Sequence, residues 1–140
     1  MAKVSMSMNL GEQAKTVWDM IGGFNALPDW HPAVAKSEIE GDGHGSIRTL
    51  HLVGGGTITE RLEQQDEEGR SYSYSILSGP LPVANYTATI RLKDAPDGSG
   101  CVVEWESDFE PAGAPETDAV KAIQGVYAAG LDNLKKMFGG

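Results

Sequence analysis

Apolar and polar residues alternate from Lys3 to Leu10 (Lys-Val-Ser-Met-Ser-Met-Asn-Leu), the period of a half-buried strand. Asn9-x-x-Glu12 then has the spacing of a capping box, and Ala14, Val17, Trp18 and Ile21 follow at helical intervals. Gly22-Gly23 is expected to end that helix by taking the left-handed C-cap conformation. Phe24 to Pro32 reads as a compact connector in which Pro28 and Pro32 bar a long helix. From Val34 to Phe109 short alternating segments are divided by Gly41-Asp42-Gly43, Gly54-Gly55-Gly56, Asp66 to Gly69, Gly79-Pro80-Leu81-Pro82 and Asp94 to Gly100. Spacings this close predict hairpins in an antiparallel meander, since parallel strands need long crossovers. The last segment changes period. Pro115 suits a first helical turn, Glu116 and Asp118 suit the positive end of a helix dipole, and Lys135 and Lys136 suit the other end. Between them Val120, Ile123, Tyr127, Leu131, Leu134 and Phe138 form an apolar stripe that needs a sheet to lie on.

The predicted order is strand, helix, six strands, long helix: a single α+β domain over residues 1–140. A sheet of about seven strands is wider than one helix can cover flat, and sheets twist. A curved antiparallel sheet wrapped around the C-terminal helix is the economical solution, and such a wrap leaves space suited to a ligand.

Strand period fixes which side chains share a face. The inward sets are Tyr72, Tyr74 and Ile76; Tyr86, Ala88, Ile90 and Leu92; and Val103, Trp105, Ser107 and Phe109. They contain phenols and small residues where a plain core would use Leu, Ile and Val, and a buried phenol wants a hydrogen-bond partner. On the hairpin around Gly54-Gly55-Gly56, Glu60 is in phase with Ile58 and Leu62, and Arg48 with Leu50 and Leu52. A three-residue turn would set Leu52 opposite Ile58, Leu50 opposite Glu60 and Arg48 diagonal to Glu60. An inward carboxylate and guanidinium persist only as a pair. They serve either as a satisfied ion pair or as a polar anchor for a ligand.

Other candidates carry less. His31, between Trp30 and Pro32, is placed to line a mouth or simply to accompany a packed Trp30, while His51 is out of phase with its apolar neighbours and His44 lies in a turn. Three scattered histidines have no metal-ligand spacing, no phosphate-binding glycine motif or nucleophile elbow occurs, and neither metal nor cofactor is expected. The one cysteine, Cys101, sits in a strand-like run and is expected to be a buried thiol. Gln124, Gly125 and Gly130 interrupt the C-terminal helix, either for close packing on the sheet or to leave room for a bound molecule.

Composition narrows the partners. Of 140 residues 40% are hydrophobic and 22% charged, an ordinary globular balance, and the net charge is −9. A negative surface repels phosphate backbones and anionic head groups, so neither nucleic acid nor membrane insertion is expected. Residues 1–8 lack an apolar leader core, which predicts a cytoplasmic protein. Nothing in the pattern fixes an oligomeric state.

Val17-Trp18, Trp30-His31-Pro32, Gly45-x-x-Arg48, Glu60-Arg61-Leu62, Leu81-Pro82-Val83 with Tyr86, and Trp105 with Phe109 together resemble the START-like, or SRPBCC, superfamily. More narrowly, the chain resembles its polyketide cyclase/dehydrase and lipid-transport family. The resemblance implies a helix-grip fold along essentially the whole chain. Ser78-Gly79-Pro80-Leu81-Pro82 also resembles the gate loop of the plant abscisic-acid receptors in that superfamily, but Pro80 separates Gly79 from Leu81 and no latch motif accompanies it. A mobile lid over a ligand is the expectation carried over, not hormone reception.

The leading functional expectation is a carrier or sensor of a small hydrophobic molecule. Its cavity wall would draw on Trp30, His31, Leu50, Ile58, Tyr74 and Leu81, with Tyr86, Trp105, Gln124, Tyr127 and Leu131. The alternative is a cyclase, dehydratase or isomerase acting on a polyketide-like carbonyl compound. Glu60 would then be general acid or base beside Arg48, and a phenol such as Tyr72 or Tyr86 would orient the carbonyl. A protein-interaction module is the third reading, and no exposed apolar or basic stripe speaks for it.

Overall fold

A computed structural model describes residues 2–139. Strand β1 (Ala2–Leu10) leads into α1 (Ala14–Ile21) and the single turn α2 (Leu27–Trp30). Six strands follow: β2 (Val34–Glu40), β3 (Ile47–Leu52), β4 (Thr57–Asp66), β5 (Ser71–Ser78), β6 (Val83–Asp94) and β7 (Cys101–Pro111). The chain then forms α3 (Glu116–Phe138). The seven strands make one antiparallel sheet in the order β1-β7-β6-β5-β4-β3-β2. It is the curved α+β sheet and long C-terminal helix that the pattern predicts.

The predicted faces hold. Tyr72, Tyr74, Tyr86, Ala88, Ile90, Leu92, Val103, Trp105, Ser107 and Phe109 are all buried, as are Ala14, Val17, Trp18 and Ile21 on α1. Their alternation with exposed or half-buried neighbours leaves one face of the sheet for the helices. Breaks of register in β4 and in β6, where Asn85 takes a positive φ of 53°, mark the bulges that curl the sheet.

Widths explain why the interior is not filled. Six inter-strand steps of about 4.8 Å make the sheet about 29 Å wide, against a helix about 10 Å across. α3 lies on the β1–β7 side, where Trp105 stacks on Tyr127 with ring centroids 4.2 Å apart. α1 and α2 cover only part of the remainder, and a hollow is left over the β3–β5 side.

Local details differ from the sequence reading. Asn9 and Glu12 form no capping box: Asn9 pairs with Val102 in the sheet, and the helix begins after Gln13 with no side-chain cap. Strand pairing with β7 outcompetes the cap. Gly22 is right-handed, with φ −73°, so no left-handed cap is involved. Glycine is required there for space, because a methyl group would run into the Trp18 indole. Pro115 is the N-cap of α3 rather than its first residue.

The two glycines inside α3 separate cleanly. Nothing lies within 4 Å of a Cβ built on Gly125, whereas one built on Gly130 would sit 2.8 Å from the His31 ring, 3.0 Å from Trp30 and 3.1 Å from Trp105. Close packing therefore accounts for Gly130. Gly125→Ala is expected to raise the unfolding free energy by up to about 1 kcal/mol through helix propensity. Gly130→Ala is expected to lower it by about 1–3 kcal/mol through overpacking despite the same helical gain. Urea titration of the two variants checks the opposite signs.

Candidate functional site

The β3–β4 hairpin places the two inward charges. Its register sets Arg48 directly opposite Glu60 and Leu50 opposite Ile58, two residues away from the expected pairing of Leu50 with Glu60. The turn is tight: Leu52 N–H donates to Gly56 O at 3.0 Å, which leaves three residues, Val53, Gly54 and Gly55, between the paired positions. Gly54, Gly55 and Gly56 all have positive φ, between 92° and 106°, which ordinary residues resist. Counted back from this three-residue turn, Arg48 and Glu60 are a direct pair, and the expected pairing of Leu52 with Ile58 leaves two residues too many in the loop.

Arg48 and Glu60 are 1% and 5% exposed. Arg48 Nε donates to Glu60 Oε1 at 2.8 Å, Nη2 lies 2.6 Å from the same oxygen, and Nη1 donates to Phe24 O at 2.5 Å. The Phe24 ring covers the guanidinium at 4.0 Å, with Tyr74 at 5.0 Å and Tyr72 at 5.8 Å. Burial pushes the Glu60 carboxyl above the usual carboxylate range, with Arg48 pulling the other way. Burial disfavours the Arg48 charge too, but Glu60 together with Tyr72 and Tyr74 outweighs it and keeps the guanidinium protonated.

Behind the pair runs a chain of phenols. Trp105 Nε1 donates to Tyr74 Oη at 3.1 Å, Tyr74 and Tyr86 hydroxyls are 3.4 Å apart, and Tyr86 is bonded in turn to Tyr127. Burial raises all three phenol pKa values, so the hydroxyls stay neutral.

His31 is a structural clamp. The Ala33 N–H donates to Nδ1 at 3.2 Å, so the ring proton is on Nε2, which donates to Val126 O of α3 at 2.7 Å. Gly130, one helical turn beyond Val126, has no side chain to block the imidazole's approach. Burial is the main cause of a pKa lowered below the ordinary histidine value. The unfolded chain therefore protonates first, and the contribution of His31 to stability, present above about pH 6.5, is lost progressively as pH falls below that value toward the lowered folded-state pKa. The difference in unfolding free energy between wild type and His31→Gln is expected to shrink from pH 7.5 to pH 5.5. Urea unfolding at several pH values measures it, and a constant difference would exclude the clamp's neutral form.

These groups border a cavity of about 180 Å³ between the sheet and α3. Of the expected wall, Glu60, Arg48, His31, Leu50, Ile58 and Tyr74 reach it, as do Leu81, Tyr86 and Trp105. Five do not. Tyr72 packs behind the guanidinium against Phe24 and Trp18, and Trp30 against Trp105 and His31. Tyr127 and Leu131 are buried where α3 meets the sheet, and Gln124 is exposed on the outside of α3. Val126, on the opposite flank of the buried stripe from Gln124, lines the cavity together with Ile123. Leu27, Val34 and Ile76 complete the apolar wall, and Ala33, Leu52 and the 65%-exposed Val53 stand at its rim beside Leu81. Elsewhere, Cys101 is a buried free thiol whose pKa burial raises, and His51 bonds to Glu38 away from the cavity. Among the described residues no helix is long and apolar enough to cross a membrane.

Comparison with known proteins agrees with this architecture. The protein XoxI from Bacillus cereus is 38% identical, superposes with a TM-score of 0.93, and is matched over 99% of this chain and 96% of its own. The MLP-like protein 423 of Arabidopsis thaliana is 31% identical over 69% of this chain and 68% of its own length. The abscisic acid receptor PYL7 of the same plant is 25% identical over 84% of this chain, a stretch that spans 59% of the receptor. The family model described as polyketide cyclase / dehydrase and lipid transport matches residues 1–139. A seven-stranded sheet gripping a C-terminal helix, matched end to end in this way, places the chain in the polyketide cyclase / dehydrase and lipid transport family of the START-like superfamily.

Proposed function

We propose that this protein holds one small, mostly apolar molecule in the cavity between sheet and α3, as a carrier or sensor, with Glu60 and Arg48 as its polar anchor. The observation that carries the reading is an apolar-walled hollow of about 180 Å³ with a single ion pair in its wall. That volume is slightly above the roughly 150 Å³ that accommodates a benzene ring in an engineered protein cavity, so the occupant is about one ring with a short substituent. The family takes part of its name from lipid transport, and one relative is an abscisic acid receptor, which supports the same reading.

A second reading, acid–base catalysis on a carbonyl compound, draws on one feature: a carboxyl raised by burial and bordering the cavity. Against it, Glu60 is held by Arg48 and Tyr72 stands away from the cavity. Saturation-transfer NMR with a mixture of single-ring compounds tests the proposal. Saturable binding, mutual competition for one site and recovery of every compound unchanged are expected. Absence of saturable binding contradicts the cavity reading, and conversion that disappears in Glu60→Gln selects the enzyme.

A further inference from the structure

The polar wall of the cavity is one-sided. Each of the three Arg48 guanidinium nitrogens is already engaged, two with Glu60 Oε1 and one with Phe24 O, and aromatic rings cover its faces. His31 has both ring nitrogens committed to backbone groups, and Trp105 Nε1 is committed to Tyr74. No protein donor reaches Glu60 Oε2 among the described residues. The fully enclosed side-chain polar atoms without a partner are Trp30 Nε1 and Ser107 Oγ, among the described residues. Oε2 is therefore neither bonded nor walled in, and the residue that carries it lines the cavity. What the wall offers a ligand with no protein partner of its own is a carboxylate oxygen, beside the hydroxyls of Tyr74 and Tyr86 and a guanidinium already paired with that carboxylate.

Resting on the cavity reading above, we infer that the ligand is a neutral hydrogen-bond donor, a ring-sized apolar body bearing a hydroxyl whose proton meets Glu60 Oε2, and not a carboxylic acid. A carboxylate would bring a second negative charge against Oε2, where the single positive charge of Arg48 is already balanced by Glu60. An acceptor-only group would leave Oε2 buried and unpaired. An ammonium would satisfy the oxygen but would lose its own hydration beside an ion pair that is already neutral overall.

Calorimetric titration at pH 7.5 with four probes of one size, benzyl alcohol, toluene, benzonitrile and benzoate, separates these cases. A hydrogen bond to a charged acceptor predicts that benzyl alcohol binds about tenfold to a hundredfold more tightly than toluene or benzonitrile. Benzoate is expected to give no saturable heat. Glu60→Gln places an amide donor where Oε2 was, and is expected to narrow the gap between benzyl alcohol and benzonitrile. If that variant does not fold, the wild-type ranking decides alone. Equal affinities for the alcohol, the nitrile and toluene, or tight binding of benzoate, overturn the donor assignment while leaving a binding cavity intact. If none of the four binds, the cavity reading fails, and the donor assignment with it.

Discussion

Arg48→Met is expected to lower the unfolding free energy by about 3–5 kcal/mol, because it strands the Glu60 carboxylate in the interior without its partner. Glu60→Leu is expected to cost a similar amount for the reverse reason, leaving a guanidinium that is 1% exposed and bonded only to Phe24 O. The double variant Arg48→Met/Glu60→Leu is expected to recover most of that loss or to exceed wild type, since apolar residues of similar volume avoid the desolvation cost of both charges. Urea unfolding of the three variants forms a double-mutant cycle, with a coupling larger than either additive error. Single-variant losses under about 1 kcal/mol would mean that the pair is hydrated, contrary to the structure. A stable double variant has a functional corollary: folding does not require these charges, so their retention in an otherwise apolar wall belongs to what the wall recognises. In the same double variant the discrimination between benzyl alcohol and toluene is expected to vanish.

The second large effect concerns space. Leu50, on β3 opposite Ile58, is 2% exposed and lines the cavity. Leu50→Trp puts an indole where an isobutyl group stood, and about 180 Å³ cannot hold both that ring and a ligand ring. Affinity for single-ring probes is expected to fall about a hundredfold, equivalent to ~2.7 kcal/mol. Stability is expected to change by no more than the usual overpacking penalty of about 1–3 kcal/mol. Calorimetry and urea unfolding on one preparation read both numbers. Unchanged affinity in the folded variant would place the binding site elsewhere.

The sequence makes the sheet legible because period two and glycine-rich turns leave little choice: once Trp105 is taken as inward, Val103, Ser107 and Phe109 must follow. Facing inward is a weaker statement than facing the cavity. Tyr72 and Tyr74 share one phase of β5, yet Phe24 and Trp18 cover Tyr72 while Tyr74 reaches the hollow. Where the helices cross the sheet decides between them, and strand period carries no information on that. Tyr127 and Leu131 are misplaced for the same reason, since the inner stripe of α3 is mostly packed on the sheet and only Ile123 and Val126 look into the cavity. Gln124 and Val126 flank the Ile123–Tyr127 stripe at equal angles on a helical wheel, so helical period does not choose between them; the way α3 lies on the sheet exposes Gln124 and turns Val126 to the cavity. The direct Arg48–Glu60 pair is legible in the sequence, because a three-residue turn of Val53, Gly54 and Gly55 sets Leu52 against Gly56 and, counting back, Arg48 against Glu60.

Location of the bound molecule is the most direct measure of the whole account. A ¹H–¹⁵N and methyl NMR titration with benzyl alcohol is predicted to give saturable shifts at Leu50, Ile58, Ile76, Ile123 and Val126 and at the Trp105 indole, all bordering one cavity. Those shifts are predicted to disappear in Leu50→Trp. Shifts confined to exposed residues such as Ile39, Leu77 and Met137, or growing linearly with no approach to saturation, would contradict it.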